Sequence, residues 1–262
     1  GSDKTGTLTR NEMTVKLVFD GLRTYEVSGI GYEPEGSIAH ESQPVDLASC
    51  SELIRTLRIG LLCNEADLYQ ENGDYKIVGD PTEGAIIVSA LKGGLQVEDE
   101  RTRYPQLGIV PFESERGFMA TLHEVEGKKV IFAKGAPEVL LGKRNRIIID
   151  RNITELTPET KQSILKENAS LAKAALRVLG FAYRPTDSIT DGIEEDLIWI
   201  GLQGMIDPPR DEVADSIREC STAGIRIIMI TGDNPMTAEA IAEQVGLKSN
   251  GTVSGSELDT ME

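Results

Sequence analysis

The residues best suited to chemistry stand far apart in the chain. Asp3 opens the run Asp3-Lys4-Thr5-Gly6-Thr7-Leu8-Thr9, and Thr231-Gly232-Asp233 follows the apolar stretch Ile227-Ile228-Met229-Ile230. A carboxylate can attack phosphorus to give an aspartyl phosphate, which splits a hydrolysis into two steps. A hydroxyl beside a backbone amide at a strand end can hold phosphoryl oxygens. The plainer readings are that Asp3 begins a turn with Gly6 and that Thr231-Gly232-Asp233 is a strand-to-helix turn.

A second set lies between these points. Gly79-Asp80-Pro81-Thr82-Glu83-Gly84-Ala85 contains a capping box, Asp80-x-x-Glu83, with Pro81 at the first helical position. Pro111-Phe112-Glu113-Ser114-Glu115-Arg116 offers a flat apolar ring next to an arginine, or a core phenylalanine in a strand. In Lys134-Gly135-Ala136-Pro137-Glu138, Gly135 allows close backbone approach and Pro137 suits the first turn of a short helix. Lys134 is then either a cation lining a site or a solvated strand end. Arg177 is either a phosphate-facing cation or a helix-end arginine satisfying carbonyls. There is no GxxxxGK[ST] and no convincing GxGxxG, so any nucleotide is held by other means than a P-loop or Rossmann turn.

The elements that must position these residues differ along the chain. Residues 197–205 read as a strand, and Asp207-Pro208-Pro209-Arg210 as a rigid turn. Residues 211–223 carry Val213, Ile217 and Cys220 at helical spacing and stop at Gly224. Residues 225–230 read as a buried strand. Asn234 caps the next helix, Pro235 occupies its first position, and Gly246 follows its end. Strand, helix, strand, helix at this pitch predicts a parallel α/β sheet, with ligands beyond the carboxyl ends of its strands, where Thr231 sits. The middle of the chain reads as α+β. Residues 118–124 and 128–134 form a hairpin about Gly127. Residues 80–91 form a helix, Thr157 and Pro158 start a longer one that aims Ile164, Leu165 and Leu176 at a core, and 178–183 form a strand. Residues 33–48 and 185–195 read as surface loops.

Composition narrows the function classes. The 262 residues carry a net charge of −16, which disfavours nucleic acid and anionic lipid as partners. The longest clean apolar run, Ile227–Ile230 with its neighbours, is strand-sized, whereas a membrane span needs about 20 residues. No signal peptide opens the sequence. Cys50, Cys63 and Cys220 are odd in number and form no CxxC, which argues for a reducing compartment and against a zinc site.

The string Asp3-Lys4-Thr5-Gly6-Thr7-Leu8-Thr9 resembles the DKTGTLT phosphorylation signature of the P-type ATPases, and the other motifs occur in that family's order across nearly the whole chain. The resemblance implies an α/β fold. It implies an α+β nucleotide-binding domain, an antiparallel sheet with helices at residues 13–206, inserted into an incomplete haloacid-dehalogenase-like parallel α/β domain made of residues 1–12 and 207–262. It implies that Asp3 takes the γ-phosphoryl group of ATP, with Lys4 beside it and Mg²⁺ at Asp3 and Thr5. It assigns Thr231, Gly232 and Asp233 to the family's TGD motif and residues 207–210 to its DPPR-like hinge. It places adenine against Glu83 and Phe112, with Thr82 beside Glu83, and the nucleotide phosphates near Arg116, Lys134, Gly135 and Arg177. Related pumps often carry a lysine after the arginine of the Phe112 motif; here Gly117 removes one phosphate contact. The alternative, a phosphatase of the haloacid-dehalogenase class, needs a second aspartate two residues after the nucleophile, where this chain has Thr5. Without that proton shuttle an aspartyl phosphate lasts longer, as a pump requires.

The same resemblance implies further parts of an intact pump. Its transmembrane and actuator domains would be this chain's partners, and the chain itself is expected to be soluble and monomeric at the cytoplasmic face of a membrane. The Mg²⁺-binding GDGxNDxP motif and a catalytic lysine are expected beyond Glu262, so the isolated chain is expected not to turn over ATP. The motif spellings resemble calcium-type pumps more than heavy-metal pumps, which puts Ca²⁺ first as transported ion, ahead of Na⁺, K⁺ or Mg²⁺.

Overall fold

Alternation along the central strands decides which layer each side chain joins. Val130 and Phe132 belong to one buried cluster and Ile131 and Ala133 to another, the period-two pattern of a strand covered on both faces. The computed structural model describes residues 1–142, 146–186, 188–189, 193, 195–231, 235–247 and 251–253, with the backbone alone at 3–5 and 235–237.

In chain order the elements are β1 (Ser2–Asp3), a π-helical turn (Lys4–Leu8), β2 (Thr14–Phe19), β3 (Thr24–Val27), β4 (Ile38–His40), β5 (Gln43–Pro44) and α1 (Ser51–Leu62). Next come β6 (Asp67–Glu71), β7 (Asp74–Val78), α2 (Pro81–Lys92), α3 (Val97–Arg103), β8 (Gln106–Glu113), β9 (Phe118–Val125), β10 (Lys128–Gly135) and α4 (Pro137–Leu140). The rest are β11 (Arg146–Ile149), β12 (Asn152–Glu155), α5 (Pro158–Lys173), β13 (Arg177–Pro185), β14 (Ile198–Ile206), α6 (Val213–Thr222), β15 (Met229–Ile230) and α7 (Pro235–Gln244).

The main sheet runs β5-β4-β3-β2-β14-β13-β10-β9-β8, and β11 pairs with both β12 and β14. Its pairings are antiparallel except for β11 beside β14. Leu53, Leu57 and Leu61 of α1 and Ala85 and Ile86 of α2 cover one face. Leu140 of α4 and Ile164 and Leu171 of α5 cover the other. Phe181, Ile131 and Trp199 are fully buried between these layers, each apolar side chain of this size contributing about 1.5–3 kcal/mol. The chain is thus a mixed α/β fold dominated by one large antiparallel sheet.

Local signals explain the helix starts. The Asp80 carboxylate accepts from Thr82 N at 2.8 Å and Pro81 takes the first position of α2. Thr157 caps α5 through Thr160 N at 3.2 Å. The β9–β10 hairpin turns at Gly127 as its sequence predicts.

Four expectations change. The helix begun at Thr157 ends at Lys173, so Leu176 lies beyond it: Ala175 turns left-handed at φ +64°, and Leu176 packs against the core from the link to β13. The strand at 197–205 does not open the parallel unit expected with residues 225–230: it is β14, antiparallel to β13 and β2 and parallel only to the short β11, with every residue buried. An antiparallel strand covered by helices on both faces gives the same continuous apolar run as a parallel one. The strand at 225–230 contracts to Met229–Ile230, and Ile225, Ile228 and Ile230 are exposed rather than buried. Part of the loop at 33–48 is β4 and β5, added to the sheet edge.

A smaller region joins the two ends of the chain. β1 pairs with β15 in parallel, Asp3 opposite Ile230. Leu8, Val213 and Ile217 pack with Val245 beside α6. Ile241 of α7 packs on Ala175 and Ile206 of the sheet region. The two connections between regions lie side by side. Arg10 N donates to Pro208 O and Arg210 N to Leu8 O, both at 3.0 Å, while Thr9 Oγ1 donates to Asp207 Oδ2 at 2.5 Å. The guanidinium of Arg210 reaches Gly6 O at 3.0 Å, and that of Arg10 bonds Asp211 Oδ2 at 2.6 Å.

Candidate functional site

Alternation that places Val130 and Phe132 under α1 and α2 also sends Lys134, two residues on, toward α2. There its Nζ donates to Glu83 Oε1 at 2.6 Å, with side chains only 5% and 14% exposed. Such a short, nearly dry side-chain bond holds both groups in place. The second oxygen, Oε2, accepts from Glu65 N at 3.3 Å. The capping box is therefore only half made: Asp80 caps Thr82, while the Glu83 carboxylate faces Lys134. A carboxylate has about four acceptor sites, so two bonds leave Glu83 room to accept from a ligand.

Sequence reasoning missed what lies beneath this pair. Asn64, just past α1, donates from Nδ2 to Gly60 O and Glu83 O at 3.2 and 3.0 Å, and its Oδ1 accepts from Ala66 N at 2.9 Å. The signal was present as Leu53, Leu57 and Leu61 at helical spacing followed by an Asx-type turn residue. Cys63 is wholly buried nearby and its thiol donates to Met119 O at 3.8 Å; burial pushes its pKa up to about 11, partly offset by Lys134. It acts as a packing residue.

The remaining nucleotide candidates divide. Arg177, the first residue of β13, donates from Nη1 to Thr82 Oγ1 at 2.8 Å, which joins two of them at the start of α2. Phe112 is 57% exposed at the sheet edge, whereas Phe118 across the same hairpin is 1% exposed; Phe112 is not a core residue. Arg116 bonds Pro111 O at 2.9 Å and Glu113 at 2.8 Å and lies over the Phe118 ring, so it is committed to its own turn. Gly117 closes that turn at φ +75°, a left-handed conformation in which a lysine would be strained. A Cβ on Gly135 would come within 2.4 Å of Gly117 O and Phe118 Cβ. Its lack of a side chain is required by strand packing.

At the other end, the parallel register of β1 and β15 brings Asp3 and Ile230, and hence Thr231, to neighbouring carboxyl ends of strands. Only the backbone of Asp3, Lys4 and Thr5 is described, and Gly232, Asp233 and Asn234 lie outside the described residues. Among the described residues no group of three His, Cys, Asp or Glu side chains converges as a metal site. Among them, too, no helix is long and apolar enough to cross a membrane. Tyr32 stands between the two ends: burial, with the charges of Glu12, Asp207 and Asp80, pushes its hydroxyl up to about 12.

Residues 52–212 match the family described as P-type ATPase, cytoplasmic domain N. A calcium-transporting ATPase of Bacillus subtilis is 40% identical over 268 residues, covering 99% of this chain and 30% of the relative. Calcium-transporting ATPase 1 of Lactococcus lactis is 41% identical, covering 99% of this chain and 28% of its own length. A cation-transporting ATPase of Synechocystis is 40% identical with 99% and 30% coverage. The chain therefore spans less than a third of the length of these relatives.

Proposed function

The chain belongs to the P-type cation-transporting ATPases, and we propose that it binds ATP and receives its γ-phosphoryl group on Asp3 as the nucleotide-handling part of a longer pump. The observation that carries the binding half is Phe112, a large ring left 57% exposed on a strand whose hairpin partner Phe118 is buried. Base stacking on such a ring is worth about 1–3 kcal/mol. Stacking accepts any base, so discrimination falls to Glu83. Held in place by Lys134, it accepts from the exocyclic amine of adenine and repels the carbonyl that guanine presents there. Thr82 and Gly135 shape the wall beside these groups. Lys134, Arg116 and Arg177 supply positive charge toward the phosphates, and Arg116 must leave Glu113 to do so.

On this reading residues 13–206 form the nucleotide-binding domain, while 1–12 and 207–262 belong to a haloacid-dehalogenase-like phosphorylation domain. Lys4, Thr231, Gly232 and Asp233 would serve the phosphoryl group at Asp3. Mg²⁺ would be held by Asp3 and Thr5 and would neutralise charge on the transferring phosphoryl group. The pump would work at the cytoplasmic face of a membrane, with Ca²⁺ as the transported ion, in keeping with the names of its relatives from Bacillus subtilis and Lactococcus lactis.

The test is a calorimetric titration of ATP and GTP into the chain, Phe112→Ala and Glu83→Gln at fixed salt. Phe112→Ala should weaken both nucleotides by about 1–3 kcal/mol, and Glu83→Gln should narrow the gap between them. A folded Phe112→Ala that binds ATP like the parent would overturn the placement of the pocket.

A further inference from the structure

Asn64 is buried, 7% exposed, at the junction of two helices. Gly60 lies in the last turn of α1, where carbonyls lack a partner within the helix. Glu83 lies in the first turn of α2. A single side-chain amide bonds both carbonyls, at 3.2 and 3.0 Å, and so staples the carboxyl end of α1 to the amino end of α2. Its Oδ1, bonded to Ala66 N at 2.9 Å, sets the turn that points Glu65 N at Glu83 Oε2. Both the backbone and the carboxylate of Glu83 are thus tied to Asn64.

We infer that Asn64 is a positioning residue for base selection: it fixes the angle at which the Glu83 carboxylate meets the ligand. The inference rests on the reading that Glu83 selects adenine. Lys134 anchors Oε1 from one side, and a single anchor leaves a carboxylate free to rotate about it. The turn at 64–66 supplies the second anchor on Oε2, and the bond to Glu83 O holds the residue's backbone. A carboxylate fixed at both oxygens has its remaining acceptor sites in set directions and cannot swing away from a carbonyl that it should repel. Loosening it costs discrimination before it costs affinity, because stacking on Phe112 and attraction of the phosphates do not depend on it.

The test measures ATP and GTP binding by calorimetry on the 262-residue chain with Asn64→Ala, Asn64→Ser and Asn64→Asp, with circular dichroism as a check on folding. Serine and aspartate keep an acceptor for Ala66 N, as turn-forming side chains do, but lack the amide donors. The expected result is a fall in the ATP-to-GTP affinity ratio of about three- to tenfold, with GTP affinity changed by less than about twofold. In a Glu83→Gln background the same substitutions should leave the ratio where it is. A purely structural role would instead weaken both nucleotides alike. That outcome, or an unchanged ratio in a folded variant while Glu83→Gln alone narrows it, overturns the inference and leaves the pocket standing. A ratio that Glu83→Gln leaves intact overturns the reading of Glu83 and this inference with it.

Discussion

The sheet region and the smaller parallel-strand region divide the work of the molecule unequally. In the sheet region, β14 is buried along its whole length and Phe181, Ile131 and Trp199 have essentially no exposure. In the smaller region the buried cluster consists of Leu8, Val213, Ile217 and Val245, and Ile228 and Ile230 are 53% and 62% exposed. Yet the smaller region carries Asp3 and Thr231, the residues proposed for phosphoryl transfer. On that proposal, stability is concentrated where the nucleotide would be read, and chemistry would be placed where little of the packing lies. A residue can therefore matter greatly for one and hardly at all for the other.

The largest expected effect sits in the smaller region and concerns chemistry alone. In the full-length pump Asp3→Asn should abolish the acid-stable phosphoenzyme, because the nucleophilic charge is removed at near-constant shape. A phosphoenzyme that survives in this mutant would move the chemistry elsewhere and dissolve the division. Next comes Phe181→Ala, which should lower the unfolding free energy of the chain by about 3–5 kcal/mol in urea melts. A loss under about 1 kcal/mol would show that the sheet core collapses around the gap.

A gentler probe is pH. His123 is buried, donates to Tyr104 O and accepts from Thr121 Oγ1, both at 2.9 Å, and its ring lies tilted against Phe132 with centroids 4.9 Å apart. Burial lowers its pKa below the ordinary 6.5. The unfolded chain therefore binds this proton more readily than the folded one. The contribution is intact above about pH 6.5 and is lost as pH falls from there toward the folded value. Urea midpoints of the chain should fall over that window, and His123→Gln should flatten the fall; an unaltered slope would assign it to other groups. Smallest of all, Ile228→Ser should change stability by no more than about 0.5 kcal/mol. A cost near that of Phe181→Ala would mean that the two regions share one core after all.

What could be read from the sequence was local. Asp80 and Pro81 announced α2, Thr157 and Pro158 announced α5, and Gly127 marked the β9–β10 turn, because each signal and its consequence lie within a few residues. What was missed was made by distant partners. β14 reads like a parallel strand because its antiparallel neighbours, Arg177–Pro185 and Thr14–Phe19, leave no trace in its own apolar run. Glu83 reads like half of a capping box because its partner, Lys134, is 51 residues away. Asn64 stayed hidden because its role depends on two helices meeting. The candidate site fared similarly: motif order gathered Glu83 and Lys134 in prospect, but only the fold shows that Arg116 is held by Glu113 and that Gly135 is dictated by Phe118.

The paired connection between the regions has a mechanical consequence. A single linker swivels freely about its own bonds, but two segments bonded edge to edge at Leu8, Arg10, Pro208 and Arg210 form a flat ribbon. A ribbon flexes across its thin dimension and resists twist and sideways shear. Pairs of spin labels across the junction should accordingly show distances that spread along one direction and stay narrow along the other two, and a spread along all three would remove the constraint. With motion limited to one arc, the proposed approach of a nucleotide to Asp3 would retrace the same path, and the encounter would repeat its geometry from one cycle to the next.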